Sequence, residues 1–481
     1  MTDPAGHPTT QRRNRPPAAA ARPGAVLAVM CVGMFLVLLD VTVVNVALPS
    51  IGAGLATGGD GLQWVVDGYA VAIAGLLLAG GAVGDRWGHR RVVLTGLAVF
   101  GAASAACGLA PTAGVLVAAR AAQGVGAALL LPGSLAVIAD AYPERAAQAR
   151  ALGIWAGASS LALPAGPLLG GLLVTGGGWR LVFLVNIPVV AAALVAVPLL
   201  VRATSGDPGR RADLPGLGLA ALTLVSVVFV VVDAGHHGAR PPGAVALLVA
   251  LVAGAGLVAR QRTADHPALP TDLLRRPAFL GPNVAALLMN LVVNGSLYVL
   301  TLYLQTVQHR APLPAGLALL PMFVPLAGLA PVAGRLTARL GPRPVLVAGA
   351  VVGGLGAAGL ALLGPGGDYR PVLPALLGLG IGAGLFTAPV VTAAVRAVPA
   401  WRSGLASGVN NTARQTGTAL GIAVFGALTG SAADAGGFTR RLALLAGVGG
   451  GLWLVALVLV AATTGPRAGS TSSAPEVSGN G

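Results

Sequence analysis

The chain of 481 residues contains no lysine; all thirty of its basic residues are arginine. That absence excludes a phosphate-binding loop of the GxxxxGK[ST] kind, whose ammonium holds the β/γ-phosphates of a nucleotide. Lysine Schiff bases to retinal or pyridoxal phosphate are excluded with it. Uphill work by such a chain must draw on an ion gradient or on a separate motor subunit. Charge of either sign is scarce, at 9% of residues, against 55% hydrophobic residues and a mean hydropathy of +0.82. A water-soluble chain of this length needs far more polar surface to cover its core, so the composition is that of an all-α polytopic membrane protein.

Other absences narrow the reading. Aromatic residues are only 4%, and the arginines behind the net charge of +15 lie between apolar runs without aromatic interleaving, so nucleic acid is not an expected partner. Both cysteines, Cys31 and Cys107, fall inside apolar runs and read as packing residues, with no disulfide or metal framework. His7, His89, His236, His237, His266 and His309 all lie in tails or loops, and there is no HExxH. No metal, no cofactor and no enzyme chemistry are expected. Residues 1–23, polar and proline-rich, lack the apolar core of a signal peptide and read as a disordered tail, as do residues 464–481.

What is present is a repeat. Gly81-Ala82-Val83-Gly84-Asp85-Arg86-Trp87-Gly88-His89-Arg90-Arg91 returns as Gly334-Arg335-Leu336-Thr337-Ala338-Arg339-Leu340-Gly341-Pro342-Arg343, at an offset of 253 residues from Gly81 to Gly334. Each copy sits between two long apolar runs, as expected of a secondary transporter built from two related halves. In the first copy Asp85 is expected to hold Arg86 or Arg90 as a conformational latch; the second has Ala338 there.

Crossing about 30 Å of hydrocarbon takes about 20 apolar residues. Runs of that kind lie near 24–48, 63–83, 91–109, 112–138, 151–174, 181–201, 214–234, 243–259, 279–304, 312–333, 343–363, 371–395, 404–430 and 441–463, fourteen in all. The set of loops that includes both tails holds 22 arginines and the alternate set six, which places both termini in the cytoplasm. The repeat offset then divides the chain into a six-helix half over 24–202, a linker with two inserted helices over 203–278, and a second six-helix half over 279–463.

Ionisable groups within such runs are functional hypotheses. Asp40 and Arg120 each lie eight residues from the outer end of their span, roughly 12 Å deep at 1.5 Å per residue. A carboxylate and a guanidinium at one depth form either a static structural pair or a site where a proton or cationic substrate competes with the arginine. Asp67 lies about 6–8 Å inside its span and is either a second cavity carboxylate or a wetted interface residue beside Trp64. Asn283, Asn290, Asn294, Thr301 and Gln305 follow at spacings of 7, 4, 7 and 4, a polar stripe on one face of a helix. The stripe is either glue between helices or the wall of an aqueous path, and the second suits its length. Gly153 with Gly157, and Gly166 with Gly170, form two small-xxx-small pairs around Pro164 and Pro167, a pattern for bending and close packing.

Together these residues resemble the major facilitator superfamily, in its branch of fourteen-helix drug:proton antiporters. Gly81–Arg91 is similar to that family's loop between helices two and three. Leu116-Val117-Ala118-Ala119-Arg120-Ala121-Ala122-Gln123-Gly124 resembles its helix-four motif, whose arginine is implicated in proton coupling. Gly166-Pro167-Leu168-Leu169-Gly170-Gly171 looks like the end of the helix-five motif of exporters, and Leu39–Pro49 like the helix-one motif of the branch. Ser403–Gly417, with Asn410, Arg414 and Gln415, resembles its helix thirteen. Val65-Val66-Asp67-Gly68-Tyr69 is most like actinomycete antibiotic exporters of the methylenomycin and lincomycin resistance kind.

The resemblance implies the major facilitator fold and export of lipophilic or cationic antibiotics from the cell in exchange for protons, by a chain that functions as a monomer in the lipid bilayer. Asp40 and Arg120 would couple the proton, and Asp67, Gln123, the stripe residues, Asn410, Arg414 and Gln415 would face substrate. Unlike relatives that take divalent cations, this chain has no acid in residues 312–333. The alternatives are proton-coupled transport of an endogenous metabolite, and a signalling or structural membrane protein that does not transport.

Overall fold

Gly88 and Gly341, the glycines shared by the two basic loops, have backbone φ of +93° and +81°, a region that side-chain-bearing residues rarely enter. Each is a one-residue hinge between two helices, which explains why the repeat keeps glycine there while its neighbours drift. They belong to a computed structural model of the chain, described here over residues 23–202, 213–238, 240–264, 271–364, 368–399, 403–429 and 435–464. Apart from Pro23 and Thr464, the expected disordered tails fall outside the described residues.

The apolar runs fold as long helices: α1 (Pro23–Leu55), α2 (Gly59–Trp87), α3 (His89–Gly108), α4 (Ala113–Ala141), α5 (Arg145–Gly177), α6 (Leu181–Leu200), α7 (Leu214–His237) and α8 (Pro241–Thr263). They continue as α9 (Pro277–Leu302), α10 (Pro312–Leu340), α11 (Pro342–Ala358), α12 (Val372–Arg396), α13 (Ser403–Thr429) and α14 (Ala435–Thr463). Local chemistry fixes several starts. Thr112 caps α4 by accepting from the Val115 amide, and Asp213 caps α7 by accepting from Gly216 while also receiving Arg260 at 2.9 Å. Pro241, Pro277, Pro312 and Pro342 open their helices, where a missing N–H leaves no bond unmade.

Among the described residues twelve helices are long and apolar enough to cross a membrane, and thirteen when α2, bent by 51° near Ala79, counts as one span. The bend lies beside Gly80, which packs against the Ala128 carbonyl of α4. α13 falls short of that test although it has 27 residues, because Asn410, Asn411, Arg414 and Gln415 dilute its apolar face. It is nonetheless packed within the bundle, against α9 and α2.

Packing repeats along the chain. α1 lies on α5, α2 and α3 on α4, and α3 on α6; eight helices later, α9 lies on α13, α10 and α11 on α12, and α11 on α14. Across the middle α2 meets α13 and α5 meets α10. α7 and α8 pair with one another, α7 resting on α2 and α13. α8 presents Val245, Leu248, Leu251 and Val252 outward, as a helix facing lipid does. Alternating crossings put Pro23, Thr463 and both basic loops at one end of the bundle, here the near end. The links from α1 to α2 and from α9 to α10 lie at the far end.

Four contacts tie the first helices to the last ones at the far end. Gln63 of α2 donates to the Ile422 carbonyl of α13 at 3.4 Å, and Gln305, in the π-helical turn after α9, donates to the Val46 carbonyl of α1 at 2.9 Å. On the other side, Gly171 and the Pro167 carbonyl of α5 meet the backbone of Leu313 and Gly316 on α10, too closely for a Cβ on either glycine.

Candidate functional site

Asp40 and Arg120 meet. Asp40 (1% exposed) lies mid-helix in α1 and Arg120 (0% exposed) in α4, and an Arg120 Nη donates to Asp40 Oδ2. Two amides complete the carboxylate. Gln123, one turn along α4, donates to Oδ1 at 2.9 Å, and Asn186 of α6 donates to the same oxygen at 3.3 Å. Ser104 of α3 accepts from both Gln123 and Asn186, at 2.9 and 3.4 Å, and joins them into one network.

Arg120 is held as firmly. Its Nε donates to the Val65 carbonyl at 3.0 Å, and one Nη also reaches Gln123 Oε1 at 2.8 Å. Its guanidinium lies over the Tyr69 ring at 4.2 Å, and Tyr69 in turn donates its hydroxyl to the Val37 carbonyl of α1. The other Nη is buried and has no partner. This arginine therefore has one donor in reserve, and its main acceptor is a carboxylate that a proton could neutralise. Taking two ions out of water is worthwhile only when each is fully hydrogen-bonded, and here the carboxylate is while the guanidinium leaves both N–H groups of one Nη unused.

Sequence reasoning found Asp40, Arg120 and Gln123 but missed Ser104 and Asn186. Each is a lone polar residue inside an apolar run, the signal that singled out Asp40, but neutral groups are cheap enough in membrane helices to be passed over.

Of the two readings of Asp67, cavity carboxylate or wetted interface residue, burial speaks against the second: it is 0% exposed, and neither of its oxygens has a hydrogen-bond partner. It does not join the Asp40 cluster. Trp64, one turn away on α2, packs on Phe229 of α7, its ring 6.0 Å away.

The stripe of α9 is largely a seam. Asn283 accepts from Asn410 of α13 at 3.1 Å, and Asn294 donates to Thr418 of α13 at 3.1 Å. Asn290 and Thr301 are buried and bond to carbonyls of their own helix. Asn294 and Gln305 keep partial exposure. Between the Asn410 and Thr418 levels, Arg414 is partly exposed and its Nε is buried without a partner; Gln415 is partly exposed beside it. The periodicity marked the right face, but a period cannot say what covers it.

At the near-end loop the contacts are as follows. Asp85 meets His89 at 3.5 Å, whereas Arg90 donates to the Pro198 carbonyl of α6 and Arg86 is exposed. Gly81 is partly exposed, and Arg339 and Arg343 at the second loop are exposed. The carboxylate stands one helical turn from this imidazole, across the Gly88 hinge.

In α5 the two glycine pairs part company. Gly166 and Gly170 bring α5 against α1, with no room for a Cβ beside Thr42 and only 2.9 Å from the Val43 carbonyl. Pro164 is partly buried and Pro167 buried in the same stretch. Gly153 and Gly157 face open space, so that pair makes no close contact.

A groove of about 600 Å³ between α7 and α8, lined by Val225, Phe229, Pro241 and Val245 among others, is apolar and contains none of these groups. Among the described residues no cluster of His, Cys, Asp or Glu is arranged to hold a metal.

A helical bundle of this length, its two sets of six helices packed alike and an ion pair sealed inside the first, is the architecture of a multi-pass membrane transporter. The chain belongs to the major facilitator superfamily, whose family model matches residues 30–422. It is 36% identical to the multidrug resistance protein Stp of Mycobacterium tuberculosis over 82% of this chain and 74% of that one. It is equally identical to the methylenomycin A resistance protein of Streptomyces coelicolor, over 85% and 86% of the two chains. The lincomycin resistance protein of Streptomyces lincolnensis is also 36% identical, over 83% of each. Among solved structures, a bacterial homologue of the human lysosomal transporter Spinster, crystallised inward-facing and unoccupied, has a TM-score of 0.66 at 16% identity. The alignment covers 93% of this chain and 99% of that one, a likeness of fold.

Proposed function

We propose that this protein exports lipophilic or cationic antibiotics across the cytoplasmic membrane in exchange for protons. The observation that carries the reading is the sealed Asp40–Arg120 pair, with a carboxylate that three side chains serve and an arginine with a spare donor. A proton on Asp40 removes the charge that holds Arg120. Drug entering from the cytoplasm favours the deprotonated arrangement, so proton and drug each stabilise a different facing of the transporter. The relatives, known by the drug resistance they confer, support the substrate class.

The repeated packing supports a division into two six-helix halves, α1–α6 and α9–α14, with α7 and α8 inserted. Arginine placement supports termini in the cytoplasm, which makes the near end cytoplasmic and the far end external. The far-end ties of Gln63, Gln305, Gly171 and Gly316 then describe a transporter closed to the outside. The chain acts as a monomer, with Asn294, Gln305, Arg414 and Gln415 as the polar groups left to meet substrate.

Inverted vesicles containing the protein test the proposal with a panel of such antibiotics. Accumulation should collapse on adding a protonophore while ATP is present. Uptake that needs ATP but no ion gradient would refute it.

A further inference from the structure

The six helices α9–α14 contain no aspartate and no glutamate, yet one of them carries an arginine near the middle of its length. Arg414 stands eleven residues after Ser403 and fifteen before Thr429 on α13, roughly 16 Å from the near end at 1.5 Å per residue. Every other arginine of α9–α14 lies within six residues of a helix end, where a long side chain can reach headgroups or water. One turn before Arg414, Asn410 donates to Asn283 of α9, and one turn after it Thr418 accepts from Asn294 of α9. Gly417, on the same face, lies against the backbone of Leu287. Arg414 therefore belongs to the face of α13 that meets α9, inside the bundle and not toward lipid.

Nothing in the chain answers its charge. Its Nε is buried without a partner, and among the described residues no ion pair joins it to a carboxylate. Of the deep acids in the first half, Asp40 is committed to Arg120, and Asp67 has no hydrogen bond. Arg120 shows what a resident arginine receives in this fold: a carboxylate, a glutamine, a backbone carbonyl and an aromatic face. Among the described residues Arg414 has none of these, and it keeps partial exposure, as do Gln415 beside it and Asn294. A cation at this depth is costly until an anion meets it, and a guanidinium matches a carboxylate through two parallel N–H···O bonds.

We propose that Arg414 is a binding site for a carboxylate on the exported molecule, so that lipophilic acids are among its cargoes. Binding serves both partners at once. The acid sheds the charge that would bar it from the membrane interior, and Arg414 gains the acceptor that its own chain withholds. A cationic drug is repelled at this position, so the site discriminates by the sign of the charge. That the bound acid is cargo rests on the export reading; that Arg414 binds a carboxylate does not.

The test uses the full-length protein in lipid nanodiscs and three probes that share one apolar body: 1-pyrenebutyrate, its methyl ester and 1-pyrenebutylamine. Binding at neutral pH is measured by equilibrium dialysis against empty nanodiscs. The wild type should bind the carboxylate about 10- to 100-fold more tightly than the ester, the range expected of hydrogen bonds to a charged group. Arg414→Gln should erase that preference, the loss falling on the carboxylate and not on the ester. Arg414→Lys should keep part of it, since an ammonium supplies charge without the planar fork, and it carries the comparison should glutamine fold poorly. Without ligand, Arg414→Gln should melt no lower than wild type, because it removes a cation that has no partner. A wild type that binds no carboxylate, or binds it no more tightly than the ester, would overturn the proposal. So would a variant at Arg414 that loses all three probes alike, the mark of a residue that only holds the helix in place. Failure of the export reading would appear separately, as a carboxylate bound with this preference that inverted vesicles do not accumulate on a proton gradient.

Discussion

Asp40 and Asp67 lie on successive helices, both beyond the reach of solvent, and the fold has treated them oppositely. Asp40 receives a guanidinium and two amides, from α4 and α6. Asp67 receives no donor at all. The first has its charge met by a cation and two amide donors, the second by no hydrogen bond. The contrast teaches that depth in the membrane, the one property sequence supplied for both, says little about a carboxylate until its donors are known.

The comparison breaks most visibly in transport. Asp40→Asn keeps the shape of the side chain but cannot take up and release a proton. Gradient-driven drug accumulation in vesicles should fall to the level of membranes lacking the protein, although the variant inserts and folds. Resistance at the wild-type level in a normally expressed Asp40→Asn strain would remove Asp40 from the coupling step.

Stability sharpens the same contrast. Arg120→Ala strands the Asp40 carboxylate and opens the site beneath Tyr69, and removing one partner of a buried pair typically costs about 3–5 kcal/mol. Thermal unfolding of the purified protein should show a large drop in Tm. Asp67→Asn strands no partner, and its Tm should hold or rise at neutral pH. Equal losses from the two variants would mean that Asp67 has a partner in solution that balances its charge.

Much of this was legible from residues. The fourteen apolar runs became fourteen helices, and the repeated loop marked two glycine hinges with the same left-handed backbone. Asp40 and Arg120 could be matched because depth along a helix is simple arithmetic. What was not legible depended on azimuth, the direction in which a helix turns each side chain toward a neighbour. That is why Asp67 was left between a cavity carboxylate and a wetted interface residue, why the α9 stripe was left between a packing seam and a pore wall although Asn283 and Asn294 engage α13, and why the imidazole of His89 was not foreseen beside Asp85. The glycine pairs of α5 make the same point, since identical spacing gave one pair a neighbour and the other open space.

That glycine difference is itself testable. Gly166→Val would force a side chain into Thr42 of α1, close to the turn that carries Asp40, and overpacking of this kind costs about 1–3 kcal/mol. Gly157→Val faces open space and should leave Tm within about 0.5 kcal/mol of wild type. A larger penalty at Gly157 than at Gly166 would show that α5 packs differently in the membrane.

The smallest expected effect concerns the seam that holds Asp67. Gln63→Ala removes the donor to the Ile422 carbonyl, a hydrogen bond of 3.4 Å across the far end. Such a bond contributes about 0.5–1.5 kcal/mol net, so the closed seam should lose about 2- to 12-fold in population against the parted one. At neutral pH this would appear as a modest rise in the long-distance fraction between labels on α2 and α13, with transport reduced but not abolished. If Gln63→Ala closed the seam further, the glutamine would be holding the helices apart, and the far-end ties would need a different reading.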